Sequence, residues 1–159
     1  MDMFFVLLAV ATGIYLVLAT VWDLKSREIY TFPCNLLTVL WIAYAFFSGN
    51  VEVKSMAIYI MFFIGLYVAF NATKTWGAGD SDLLLLFGSV YLANMDGAFS
   101  LMDISSQCIA LVVVLLLSAG IGFVEAKIKK TDLRKDSSIA IAPGYAVVII
   151  GIIIGGFIS

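Results

Sequence analysis

The sequence predicts an all-α, polytopic membrane protein with six transmembrane helices and both termini on the outer side. Three observations predict it. Of 159 residues, 63% are hydrophobic and only 13% are charged, with a mean hydropathy of +1.09. Soluble domains average about 45–50% apolar and about 25% charged residues, and a fold of this size cannot bury such an excess. The apolar residues fall into charge-free windows of spanning length. The basic residues then gather on one side of those windows.

The windows define the elements in order. Met3 to Trp22 is 20 residues without a charge, Ile29 to Val51 is 23 and Ser55 to Thr73 is 19. Ile104 to Val124 adds 21 and Ser137 to Ser159 adds 23. Each matches the roughly 20 helical residues that cross a hydrocarbon core about 30 Å thick. Leu83 to Met95 has only 13, the length of a buried or interfacial helix; it becomes a span if Asp80 and Asp82 lie at its entrance and Asn94 at its exit. The expected spans are 3–22, 32–49, 55–73, 82–97, 104–124 and 139–158, within one membrane-embedded domain over 1–159.

Orientation follows from Lys and Arg, which concentrate in cytoplasmic loops. With the N-terminus outside, the inner loops 23–31, 74–82 and 125–138 hold Lys25, Arg27, Lys74, Lys127, Lys129, Lys130, Arg134 and Lys135. These are eight of the nine basic residues, and Lys54 alone falls outside. Asp2 precedes the first span and the positive charges follow it, so it reads as an anchor rather than a cleavable signal. The longest hydrophilic loop, Glu125 to Ser138, is too short for a soluble domain, and no internal repeat of the transporter kind is visible.

Composition also removes chemistry. The chain has no histidine, which excludes His-based triads, zinc sites of the H-E-x-x-H kind and His-ligated haem. Two cysteines are too few for a structural zinc site. Cys34 and Cys108 fall at opposite membrane faces, so they read as two small buried residues rather than a disulfide. A net charge of −2 gives no basic excess for nucleic acid, and neither metal nor cofactor is expected. What remains is carboxylate, Ser/Lys, lone-Cys or backbone chemistry.

Two inner segments place acids where a helix meets the interface: Trp22-Asp23-Leu24-Lys25-Ser26-Arg27-Glu28-Ile29 and Gly77-Ala78-Gly79-Asp80-Ser81-Asp82. Taken singly, each has a plain explanation. Asp23 is a solvated acid balanced by Lys25 and Arg27, Asp80 is a helix cap, and Gly77 and Gly79 are turn residues. Taken together, two carboxylates on one membrane face of a chain without His suggest an aspartic dyad. Like charges that close cannot both ionise cheaply, so one acid keeps a proton while the other takes a proton from water. Gly77 and Gly79 would let a substrate backbone approach Asp80 with no Cβ in the way. Asp82 competes with Asp80: the two share a face in an extended segment but not on a helix. Glu28 competes with Asp23, whereas Asp96 and Asp103 fall on the outer side.

At these residues the chain resembles the type IV prepilin peptidases, membrane aspartic proteases that remove leader peptides from pilin precursors. It is most similar to their short, peptidase-only form and to related archaeal enzymes. Asp23 with Ile29 resembles the family's D-x-x-x-x-x-I-P-N segment, and Gly77-Ala78-Gly79-Asp80 its G-x-G-D motif. Ala142-Pro143-Gly144-Tyr145 resembles the Pro-Gly element that opens the family's last span. The resemblance implies Asp23 and Asp80 as catalytic acids, with Gly77 and Gly79 beside the substrate and Lys25, Arg27, Asp82, Pro143 and Gly144 in support. It implies a prepilin, pseudopilin or preflagellin precursor as partner, cut at the cytoplasmic face of the cell membrane. Two departures stand out. Ile29-Tyr30-Thr31 replaces I-P-N, and Asp82 occupies the place of a common Lys. Long members carry a four-cysteine zinc loop associated with N-methylation; its absence here implies cleavage without methylation.

The other features read as structural. Lys127 to Lys135 is a positive-inside anchor, the aromatics are packing and interfacial residues, and Gly65, Gly120, Gly122, Gly151, Gly155 and Gly156 suit close helix packing. Ser26 beside Lys25 lacks the burial a Ser-Lys dyad needs. The competing functional reading is a small ion-coupled transporter or channel subunit with Asp23 and Asp80 as its proton site, which needs acids near the bilayer midplane. A further one is a non-enzymatic assembly subunit, which tolerates loss of both acids. A presenilin-like protease shares the G-x-G-D chemistry but cuts a buried helix, which acids at the interface do not suggest.

Overall fold

The computed structural model describes residues 2–73, 77–129 and 139–158. These residues form six helices: α1 (Met3–Ser26), α2 (Thr31–Ser48), α3 (Val53–Ala72), α4 (Ala78–Ala93), α5 (Leu101–Lys129) and α6 (Ala142–Ile158). No strand occurs among them beyond an isolated bridge between Val51 and Gly97. α1, α2, α3 and the Leu101–Glu125 stretch of α5 are long and apolar enough to cross a membrane, which marks the chain as a membrane protein. α6 is apolar but shorter.

Local chemistry sets the ends. The Asp2 side chain accepts the Phe4 N–H at the start of α1. Arg27 closes α1 in the left-handed conformation (φ 59°), its N–H donating to the Asp23 carbonyl. Gly49 ends α2 with φ 69°, a conformation that costs glycine little. Pro33 and Pro143 both stand in first turns, where a missing N–H breaks no intrahelical bond.

The shortest window turns out to be the central helix. α4 packs against α2, α3 and α6; α6 also packs against α1 and α5, and α1 against α2. Leu83, Leu84, Leu86, Phe87, Val90 and Leu92 of α4 are fully buried, so this helix is enclosed on every side. Its 16 residues reach only about 24 Å at 1.5 Å per residue. A helix sheathed by its neighbours is relieved of matching the lipid thickness. Lipid offers apolar groups no reason to leave it, so cohesion between such helices rests on close packing and hydrogen bonds. Trp41 Nε1 donates to Thr12 Oγ1 at 2.9 Å, and Tyr59 Oη donates to the Gly88 carbonyl at 3.0 Å.

Boundaries differ most from the expected spans at α4 and at α5, which runs from Leu101 to Lys129 where 104–124 was expected. The segment Gly77–Asp82, expected as a loop before a span over 82–97, is helical from Ala78, and the helix ends at Ala93. The Gly77 N–H donates to the Asp80 carboxylate, and the Ser81 N–H and hydroxyl both donate to the Gly77 carbonyl, so the acid nucleates the turn it was expected to precede. The cysteine expectation holds for one residue only. Cys34 is fully buried, but Cys108 is exposed; both are free thiols. α5 buries Gln107, Val114 and Ser118 along one stripe, and Cys108 lies off it. Lys25, Arg27 and Lys127 sit where α1 and α5 end, and Lys54 at the opposite end. Lys74, Lys130, Arg134 and Lys135 lie outside the described residues, as does the Lys129 side chain.

Candidate active site

One end of the bundle gathers the last turns of α1 and α5 and the first turns of α2, α4 and α6. Asp23 arrives there from the last turn of α1 and is only 4% exposed. Its Oδ2 accepts the backbone N–H of Ala142, the first residue of α6, at 2.9 Å. The approach of α6 depends on Gly144. A Cβ at that position would run into Ser118 Oγ and the Val114 carbonyl of α5, so only glycine admits the helix this closely. Pro143 and Gly144 are buried, and they shape the turn that presents the Ala142 N–H.

Asp80 arrives from the first turn of α4, half-buried, with its carboxylate accepting the Gly77 N–H at 3.2 Å. It stands ahead of the apolar run of its helix. Burial raises its carboxyl from 3.8 to about 6, the Asp23 charge adds to that rise, and the Gly77 N–H opposes it. The two acids are thus electrostatic neighbours, brought together from separate segments. Tyr145, fully buried one turn into α6, faces Asp80 as well.

The competing acids go elsewhere. Glu28 is exposed, while Asp23 points inward. Asp82 is buried, but the helical path turns it away from Asp80 toward the side chains of Asn35 on α2 and Tyr67 on α3. Asp96 and Asp103 line a cavity of about 350 Å³ with Tyr91 and Asn94 at the far end of the bundle. Among the supporting residues, Arg27 forms an ion pair with Glu125 of α5 at 2.7 Å that ties the ends of α1 and α5. Lys25 is exposed.

The glycines act within the chain. Gly77 caps the start of α4, and a Cβ on it would meet the Asp80 carboxylate, with Oδ2 at 3.3 Å. Gly79 packs against Ile29, whose Cβ would lie 2.7 Å from a Cβ at that position. Ile29, which figured in the sequence only through its spacing from Asp23, therefore docks the first loop onto the start of α4. Ala142 was present in the sequence as part of an Ala-Pro-Gly-Tyr element; its backbone donor to Asp23 was not. Glu125, Asn35 and Tyr67 carried no sequence signal beyond their residue types. Among the described residues no three His, Cys, Asp or Glu side chains are grouped to hold a metal ion.

Two neighbouring carboxyls, one buried against a backbone donor and one raised toward neutrality, are equipped to share a proton between an acid and a base. Compared with protein-family models, curated proteins and solved structures, the chain matches none.

Proposed function

We propose that this protein is a membrane aspartic endopeptidase that removes the short leader peptide from type IV prepilin-like precursors: prepilins, pseudopilins or preflagellins. In this reading all six helices span the cell membrane, both termini lie outside, and the dyad works at the cytoplasmic face. The mature product is released without N-methylation.

The observation that carries the reading is the pairing of Asp23 and Asp80 at one bundle end, with Asp80 raised to about 6 by burial and by the Asp23 charge. A carboxyl neutral near working pH donates to the scissile carbonyl while its ionised partner activates water. Both acids sit at helix ends, where a leader emerging from the membrane surface would reach them. A proton-conducting site would need them at mid-bundle. Lys25, Arg27 and Lys127 at the same end agree with a cytoplasmic orientation.

The test is co-expression with a prepilin and a gel-shift assay for its shortened product. Asp23→Asn and Asp80→Asn each leave the precursor uncut, whereas Asp82→Asn still processes it, because Asp82 faces α2 and α3. Full processing by the Asp80→Asn protein would overturn the assignment.

A further inference from the structure

We propose that the two acids divide the labour unequally: Asp23 is the ionised general base, kept so by the N–H of Ala142, and Asp80 is the protonated acid. The assignment rests on the peptidase reading and adds to it a role for each carboxyl and a positioning role for the start of α6.

The surroundings of the two carboxyls differ. Burial is the largest influence on Asp23 and holds its carboxyl above the ordinary range; the Ala142 N–H, the Arg27 guanidinium and the Ile141 N–H oppose that rise, and Glu125 of α5 adds to it. The Ala142 bond is buried and 2.9 Å long. Hydrogen bonds from N–H to an ionised acceptor are about twice as strong as neutral ones, and a helix N-terminus adds a favourable field. Asp80 also stands in a first turn, that of α4, but among the described residues the donor it meets is the exposed Gly77 N–H at 3.2 Å. Among the described residues, Asp23 from α1, whose charge opposes a second one, and Tyr145 from α6 also face it. Of the two, Asp23 is the better place for the charge and Asp80 for the proton.

The reaction then balances. Asp23 takes a proton from water as the water oxygen bonds to the scissile carbonyl carbon. The carbonyl π pair moves to its oxygen, which receives the proton of Asp80. The diol collapses when Asp23 passes its proton to the amide nitrogen and the C–N pair leaves with that nitrogen. One diol hydroxyl returns its proton to Asp80 as the new carboxyl forms. One water is consumed, one carboxyl and one amine appear, and both acids regain their starting states.

Two measurements test the assignment. Dicyclohexylcarbodiimide attaches to protonated carboxyls, and peptide mass mapping of the full-length protein in liposomes near pH 6 should find Asp80 modified several-fold faster than Asp23. Equal or faster modification of Asp23 would overturn the proposal, and this readout does not depend on proteolysis. The second measurement uses Ala142→Pro, which keeps a residue suited to the first position of a helix but removes the N–H and sets the ring Cδ in its place, so that the Asp23 carboxylate must draw back from the start of α6. The acid limb of its kcat/KM profile, set by the base, should move up by about one pH unit, the scale of one lost charge-assisted bond. Ala142→Gly keeps the N–H and should leave the limb in place. An unmoved limb in Ala142→Pro, or the same shift in both variants, would overturn the role of α6. If the wild-type protein cuts no precursor, the peptidase reading fails, while the carbodiimide pattern still decides which acid holds the proton.

Discussion

Asp80→Asn should make the protein more stable and inactive at once. The folded carboxyl titrates near 6 rather than 3.8. A folded value above the ordinary one means that folding takes up a proton between those two pH values. The native state is therefore unpenalised below about pH 4, loses stability progressively as pH rises through about 6, and carries the full penalty above that. A rise from 3.8 to about 6 corresponds to about 3 kcal/mol, and the half-exposed position of Asp80 reduces this to about 1–2 kcal/mol. Asparagine keeps the shape and the acceptor for the Gly77 N–H but never ionises. Thermal unfolding of wild type and Asp80→Asn in the same detergent should show the variant melting roughly 3–6 °C higher at about pH 7.5, given the entropy of unfolding for a chain of this size. The gain should vanish near pH 4, where the wild-type acid is neutral too. A variant less stable at the higher pH, or equally stabilised at both, would refute the electrostatic account of the site. Such a stabilising loss of function is what an acid kept against its own preference predicts.

Gly144→Ala should destabilise the protein by about 1–3 kcal/mol, because the new Cβ meets Ser118 Oγ and the Val114 carbonyl; thermal unfolding measures it. Prepilin processing should fall with it as α6 and the Ala142 N–H draw back from Asp23. Arg27→Gln removes an ion pair whose side chains are 32% and 14% exposed, so it should cost about 1 kcal/mol or less in the same unfolding assay.

How far the sequence reaches depends on the range of the interaction that decides each feature. The helices are legible because lipid imposes a length and forbids unpaired charges, and both requirements are written locally in charge-free windows. The ends of α1, α2 and α3 follow from them within a few residues. α4 is the instructive exception. Its 13-residue window looked like the weakest span, yet it is the helix the others enclose. Shortness and uniform apolarity are the mark of a helix shielded from lipid by its neighbours. Its early start was hidden because Asp80 caps the turn through Gly77, so a residue assigned to chemistry also builds the helix that carries it. The choice between Asp80 and Asp82 was open for the same reason: an extended segment joins the two, a helix parts them, and the cap decides for the helix. Asp23 and Glu28 differ in burial, which no spacing within a loop encodes. The deepest feature lay furthest from view. The donor to Asp23 is a backbone N–H 119 residues away, and its residue type carries no trace of that role. What the sequence did carry was the device that brings it there, a glycine two positions later whose missing side chain lets α6 press against α5.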